Sequence, residues 1–227
     1  MFEYRTIRWT RHAAAGTGAG TIGLLTLARP QALNAIDVRM RIELDLILDQ
    51  IRRDDGIRVV IITGEGKGFC AGGDLRTEAA PLGALDEEND FGEFGAYKEL
   101  ANYIFNDLRH VVIQRAIRKL EALPAVTIAA INGAAVGIGL VERVFPHDRL
   151  IEEALGIAER IAAAPFLSVR HAKALVRRYW DHNRSEEGAQ AELDAVMEIT
   201  RTGDCREGIR AFLDKRPPVY RGPVYGG

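Results

Sequence analysis

The chain has 227 residues, 47% of them hydrophobic and 27% charged, which is an ordinary globular composition and enough to bury a sizeable core. The net charge of -2 comes from 30 basic and 32 acidic residues that are interspersed along the chain. This balance excludes the electrostatic signature of a nucleic-acid-binding protein, and no polyanionic partner is indicated.

Cysteine usage and apolar patterning predict a cytoplasmic protein. Cys70 and Cys205 are the only cysteines, too few for a disulfide framework, so a reducing compartment is expected. Residues 1–9 lack the apolar stretch of a signal peptide. The longest apolar run, residues 125–141, is shorter than the ~20 residues of a membrane helix. We therefore expect no membrane partner.

The first predicted elements are a strand and a helix. Residues 22–27 form a β-type run that ends at Arg29-Pro30, because proline cannot continue the ladder of a central strand. Asp37 is placed to cap the helix that follows. In that helix apolar side chains recur at helical spacing, with charged residues between them: Met40, Leu44, Ile47, Leu48 and Ile51.

Two further β runs, at residues 59–63 and 126–131, are each followed by glycines. Between them, residues 76–95 are acidic and glycine-rich, as expected of a surface loop, and a helical pattern then continues to Leu123. Strands that alternate with helices predict an α/β fold.

The last third of the chain is predicted to be helical. From Leu150, apolar residues follow helical spacing and no strand pattern intervenes. Asp204 and Glu207 have the spacing of a capping box for a final helix, which Pro217-Pro218 would end. We divide the chain into a core at residues 1–149 and a C-terminal helical region at residues 150–227.

Two glycine-containing turns are the candidate functional motifs. Residues 69–75 (FCAGGDL) and 132–139 (NGAAVGIG) each follow a buried β run and could direct backbone N–H groups outward. Two such donors that converge on one point make an oxyanion hole. Either motif alone would be more simply explained as a tight turn.

Together, the motifs resemble the enoyl-CoA hydratase/isomerase (crotonase) family. The resemblance also includes residues 29–35 (RPQALNA) and a C-terminal segment from Arg206 to Arg216. It implies a spiral of ββα units with a C-terminal helical region that packs subunits into homotrimers, often paired as hexamers. It also implies an acyl-CoA thioester as the substrate, with coenzyme A as part of that substrate and no tightly bound cofactor.

Carried over to this sequence, the resemblance assigns the oxyanion N–H groups to Gly73 and Ile138. It places a further set of residues along coenzyme A: Ala32, Ala71, Gly72, Asp74, Leu75, Phe212 and Lys215. The last two would approach the nucleotide end, often across a subunit boundary. Core packing for Phe212 and a solvated cation for Lys215 are almost equally good explanations.

The implied reaction is hydration of a 2-enoyl-CoA, an activity typical of fatty acid metabolism. Isomerisation is the second candidate reaction. Hydrolysis and decarboxylation are further alternatives, since these reactions of the family share the oxyanion geometry. The two glutamates that activate water in the family's hydratases have no counterpart here. The chain passes from Leu140 directly to Val141-Glu142, which resembles a much later family segment.

The missing block has two explanations: a true deletion, or a segment that belongs to the protein but was not resolved. We favour an unresolved segment, because removing strands from a packed core leaves unpaired edges and exposed apolar surface. The distance between the Cα atoms of Leu140 and Val141 would decide, since a trans peptide fixes it at about 3.8 Å.

Two further hypotheses do not assign the protein a hydratase activity. Residues 18–23 (GAGTIG) match a dinucleotide-binding fingerprint, but that motif must open a helix, and residues 22–27 look like a strand. A coenzyme A-binding protein that lost its acid and base is also compatible with the sequence. Neither Cys70 nor the five histidines show the spacing of a nucleophile pair or a metal site, so no metal is expected.

Overall fold

A four-stranded sheet with a helix on each face lies at the centre of the computed structural model. The structure describes residues 3–14, 20–74, 116–135, 143, 145–182 and 186–222. The strands in these ranges are β1 (Ile7–Ala13), β2 (Thr21–Leu27), β3 (Ile57–Gly64), β4 (Gly68–Cys70), β5 (Val126–Ala130) and β6 (Ala134–Ala135). The large sheet has the order β1-β2-β3-β5, and β4 pairs with β6 in a second, small sheet.

β1 and β2 form an antiparallel hairpin in which Ile7 pairs with Leu27 and Ala13 with Thr21. Gly20 therefore directly precedes β2, and Gly23 lies within that strand. A Cβ at Gly23 would come within 1.8 Å of the Trp9 ring, so glycine here makes room for an aromatic side chain. The dinucleotide-binding hypothesis fails, because residues 21–23 of the motif belong to a strand, whereas the fingerprint requires a helix to begin there.

The helix α1 (Val38–Arg52) connects β2 to β3, which run parallel. Asp37 caps it as predicted, with its side chain accepting a hydrogen bond from the Met40 N–H at 2.8 Å. The apolar face of α1 packs against one face of the sheet. This face of the core is built from Ile7, Leu25, Leu27, Met40, Ile47, Leu48, Ile51, Ile57, Val60, Leu123 and Ala125.

The opposite face of the sheet is covered by α2 (Leu150–Ala162). Its small side chains Ala154, Ala158 and Ala162 let the helix approach Val59 and Ile61 of β3. Alternate residues of a strand point to opposite faces of the sheet. The Val60 side chain therefore packs on the α1 side, whereas Val59 and Ile61 pack on the α2 side. The helix that begins the C-terminal region therefore packs directly on the sheet.

Three more helices follow: α3 (Phe166–His182), α4 (Glu186–Thr200) and α5 (Gly203–Leu213). The predicted helical character of this region is confirmed, and the division into two regions stays a prediction. None of the described helices combines the length and apolar character needed to cross a bilayer. Nor do the described residues include three His, Cys, Asp or Glu side chains grouped to hold a metal.

The capping-box prediction for α5 is wrong. Thr202 caps the helix, accepting a hydrogen bond from the Cys205 N–H at 3.2 Å. The Asp204 carboxylate instead accepts from the N–H groups of Arg221 and Gly222, at 2.8 and 3.1 Å. Glu207 likewise holds Arg216, at 2.6 and 2.9 Å. Both carboxylates fasten the chain that follows the helix, which local spacing could not reveal.

Candidate active site

The two predicted motifs include neighbouring parallel strands. β4 runs into residues 71–74 and β6 into residues 136–139, and β4 and β6 pair in parallel through Gly68 with Ala134 and Cys70 with Ala135. The carboxyl ends of parallel neighbours meet at one edge of their sheet. The first turn is described up to Asp74, whereas Ile138 and Leu75 lie outside the described residues.

The backbone around Gly73 is held from one side only. The Ile36 N–H donates to Gly72 O at 2.8 Å, and the Asp74 N–H donates to Ile36 O at 3.0 Å. These bonds form a parallel bridge between Ile36 and Gly73. Successive N–H groups of an extended strand point in opposite directions, so the Gly73 N–H faces away from Ile36. It has no hydrogen-bond partner among the described residues.

Gly72 has a φ of +92°, a backbone conformation that residues other than glycine rarely adopt. A Cβ there would meet nothing within 4 Å, so the dihedral angle and not the space requires glycine. Gly72 and Gly73 are both partly exposed. The chain therefore turns at Gly72 and presents the next amide toward accessible space.

The turn at residues 29–35 lies beside this segment and is fastened to it. Ala71 N–H donates to Leu33 O at 3.0 Å. Asn34, 0% exposed, accepts from the Arg29 N–H at 2.9 Å and donates to the carbonyls of Glu65 and Gly68 at 2.9 and 2.8 Å. The predicted pair Ala32 and Ala71 thus lies on adjacent segments, both half-buried.

The turn that precedes β6 is fastened to the connection between β3 and β4, which Asn34 also contacts. Asn132 accepts from the Gly64 N–H at 3.2 Å and donates to the Gly66 carbonyl at 2.9 Å. A Cβ at Gly133 would lie 2.0 Å from the Lys67 carbonyl oxygen. The glycine is therefore needed for the close approach of two backbones, and this contact brings the two motifs together.

Asp74 is buried, at 5% exposed, and its carboxylate forms an ion pair with Arg29 at 3.0 Å. We predicted that it lines the coenzyme A channel. In the structure the Asp74 side chain is paired with Arg29, and its contact with the ligand stays a prediction. The same holds for the ligand contacts of Ala32, Ala71 and Gly72.

Cys70 does not have the environment of a nucleophile. It is half-buried, and burial raises the pKa of its thiol, with a smaller opposing effect from the Gly72 N–H, which donates to Sγ at 3.4 Å. A raised pKa reduces the thiolate fraction at neutral pH. The structure thus agrees with the sequence, in which Cys70 lacks the spacing of a nucleophile pair.

Phe212 and Lys215 lie at the end of α5. Phe212 is 83% exposed, so core packing within this chain does not explain it. Lys215 has a φ of +53° and is also exposed. Neither residue contacts a described part of the site through a hydrogen bond or ion pair given by the structure, and their role toward coenzyme A stays a prediction.

Family comparisons agree with this geometry. Two models described as enoyl-CoA hydratase/isomerase match, one over residues 22–144 and the other over residues 135–223. The first alone covers more than half of the chain. The chain belongs to the enoyl-CoA hydratase/isomerase family. A probable enoyl-CoA hydratase of Rhizobium meliloti is 28% identical over 245 residues, covering 89% of this chain and 95% of the relative.

Relatives and solved structures extend the assignment to the fold and to enzyme class. The 1,2-epoxyphenylacetyl-CoA isomerase of Escherichia coli is 36% identical over 115 residues, 51% of this chain and 38% of that protein. An enoyl-CoA hydratase structure from Bacillus anthracis superposes with a TM-score of 0.75 at 25% identity, covering 96% of this chain and 99% of that one. The fold is crotonase-like, and the chain is an enzyme of the hydratase or isomerase type.

The comparisons also bear on the missing family block. The junction between Leu140 and Val141 lies outside the described residues, so the choice between a deletion and an unresolved segment stays a prediction. The Rhizobium alignment covers 89% of 227 residues, about 202, in 245 positions, which leaves about 43 positions where the relative has residues and this chain has a gap.

Sequence patterns missed three residues that organise the site: Arg29, Asn34 and Asn132. Arg29 and Asn34 belong to the segment that carries the resemblance, and Asn132 starts the second motif. Each of them has a partner between 31 and 68 residues away in the sequence. The available signal was a polar residue shortly after a buried β run, as at Arg29 and Asn132, because polar groups close to a core must find hydrogen-bond partners.

Proposed function

We propose that this enzyme hydrates a 2-enoyl-CoA to a 3-hydroxyacyl-CoA, with the N–H groups of Gly73 and Ile138 binding the thioester oxygen. The observation that carries the proposal is the parallel pairing of β4 with β6, which places the described parts of the two motifs side by side. The outward-facing Gly73 N–H supports it. Family membership supports the acyl-CoA substrate class.

The chemistry requires that arrangement because charge moves onto the carbonyl. Addition of the water oxygen to C3 breaks the C2=C3 π bond and shifts its electrons toward the thioester oxygen, giving an enolate. Protonation at C2 then completes the product. Donors positioned for that oxygen stabilise the enolate more than the substrate, and each contributes about 2.7 to 4 kcal/mol.

Hydration also needs a general base and a general acid. The glutamates of the family's hydratases have no counterpart in this chain, and Asp74 is ion-paired to Arg29. A protein that binds acyl-CoA without converting it is therefore an alternative, and it would show no turnover.

Isomerisation of an enoyl-CoA double bond is the second candidate, because the matching family includes isomerases as well as hydratases. It uses the same oxyanion site, but a proton moves from one carbon to another and no water is added. The product mass therefore distinguishes the two reactions.

The test is incubation of the full chain with 2-enoyl-CoA and 3-enoyl-CoA esters of several chain lengths, followed by mass analysis. Hydration adds the mass of one water, whereas isomerisation moves the double bond at constant mass. No turnover at any length would contradict both reactions. Gly73→Pro removes the donor and should lower kcat by about 100-fold, with circular dichroism confirming that the variant folds.

We also propose that the enzyme is a homotrimer or homohexamer. Large apolar side chains on α4 and α5 are exposed in the single chain: Leu193, Val196, Met197, Ile209, Phe212 and Leu213. Exposed apolar side chains are typical of protein–protein contacts where they form a large patch. In such an assembly, Phe212 and Lys215 could meet the coenzyme A bound by a neighbouring subunit.

A further inference from the structure

All three nitrogens of the Arg29 guanidinium group make polar contacts, each with a different partner. Nη2 lies 3.0 Å from the Asp74 carboxylate, and Nε lies 3.2 Å from the Asp37 carboxylate. Nη1 donates to the carbonyl oxygen of Ala35 at 2.5 Å. The side chain is 13% exposed, so solvent weakens these contacts little. A planar group with fixed donor directions can hold three partners at once.

The three partners belong to different parts of the site. Asp74 directly follows Gly73, whose N–H is the proposed oxyanion donor. Asp37 caps α1 through its other oxygen, which accepts from the Met40 N–H at 2.8 Å. Arg29 therefore connects the glycine turn to the beginning of a helix packed in the core.

The glycine turn lacks restraints of its own. Gly72 and Gly73 have no side chains, and a Cβ at Gly72 would contact nothing within 4 Å. The restraints come from the Ile36 backbone on one side and from the Asp74 side chain at the end of the turn. Rotation of the Asp74 backbone would rotate the preceding amide with it.

We infer that Arg29 is a positioning residue, which fixes the direction of the Gly73 N–H through its ion pair with Asp74. This inference rests on the proposed oxyanion function. Lysine cannot replace arginine here, because an ammonium group is a compact charge and cannot reproduce the three directed contacts. Arg29 does not touch the substrate in this scheme, so its loss acts on geometry.

The experiment compares Arg29→Lys, Asp74→Asn and the double variant with the wild-type enzyme. Butyryl-CoA labelled with ¹³C at the thioester carbonyl is bound to each, and the infrared carbonyl band is recorded. Hydrogen bonding by the oxyanion donors moves this band away from its position in water. We expect that displacement to shrink in all three variants, and kcat to fall about 10- to 100-fold with free coenzyme A affinity within about two-fold.

The double variant should lose little more than Arg29→Lys alone, since the contact that Asp74→Asn removes is already lost when Arg29 is replaced. Arg149→Gln, which removes an exposed ion pair with Glu153 on α2, is the matched control and should leave the band and kcat unchanged. Asp74→Asn keeps the shape of the side chain and serves if Arg29→Lys does not fold.

Three results would overturn the inference in different ways. Folded variants with the wild-type band and kcat would show that Arg29 does not position the amide. Failure of both single variants to fold would make the pair a stability element only. No band displacement in the wild-type enzyme would remove the oxyanion proposal itself, which separates that failure from the first.

Discussion

The segment around Gly73 and the segment around Phe212 differ in where their partners lie. In the first, buried polar groups are matched within the chain: Asn34 makes three hydrogen bonds and Arg29 three polar contacts. In the second, Phe212 is 83% exposed and Leu213 71% exposed. The proposed oxyanion turn is therefore organised by contacts within one chain, whereas the end of α5 exposes apolar side chains that a second subunit would cover.

This contrast indicates which properties should survive if the chain is studied as a monomer. Hydrogen bonds within the chain orient the Gly73 amide, so thioester recognition should persist. Contacts at the nucleotide end of coenzyme A should weaken, because apolar surface at α5 would then face water. The following changes test the contrast, beginning with the largest expected effect.

Gly133→Ala should be the most damaging change. Its Cβ would lie 2.0 Å from the Lys67 carbonyl oxygen, and neither backbone can retreat without disturbing β4 and β6. We expect a loss of about 3 kcal/mol in the free energy of unfolding, measured by urea denaturation.

The matched control is Gly156→Ala on α2, where a Cβ meets nothing within 4 Å. Alanine has the higher helix propensity, so this variant should gain about 0.5 to 1 kcal/mol. Equal effects of the two substitutions would contradict the close packing of the two motif turns.

Phe212→Asp should dissociate the proposed oligomer. Placing a charge in a desolvated apolar contact costs at least about 2 kcal/mol per contact, or roughly 30-fold in affinity. Sedimentation velocity should show a smaller species, with the carbonyl band of bound butyryl-CoA retained. Wild-type protein that sediments as a monomer would refute the oligomer and leave Phe212 as an exposed residue of a single chain.

Lys215→Ala should weaken coenzyme A binding by a few-fold, since one exposed cation contributes about 0.2 to 1 kcal/mol. The difference should disappear at high salt, where exposed charges are screened. Titration calorimetry at two salt concentrations gives both numbers. An unchanged affinity at low salt would favour the solvated-cation interpretation.

Glu207→Gln should have the smallest effect and a defined pH dependence. The hydrogen bonds from Arg216, together with that from the Val219 N–H, lower the pKa of Glu207 from 4.5 to about 2. A lowered folded-state pKa means that the contribution is present above about pH 4.5 and is lost as the pH falls through about 2. Amide hydrogen exchange at Val219 should be faster in the variant at pH 6, with the difference vanishing near pH 2.

Local patterns in the sequence determined most of the secondary structure and the family. The helix capped by Asp37, the runs that became β2, β3 and β5, and the helix from Leu150 all followed from apolar periodicity and capping chemistry. These features depend on neighbours within one or two turns, so a single sequence contains them. The glycine motifs identified the proposed site for the same reason.

Only the tertiary structure decided which groups meet. The capping box failed because Asp204 and Glu207 bind a segment 9 to 18 residues later, and β4 and β6 were too short to have a recognisable period. The contacts of Arg29 with Asp74 and of Asn132 with Gly64 cross 45 and 68 residues. Buried polar groups must find partners, but the fold alone determines which partner is within reach.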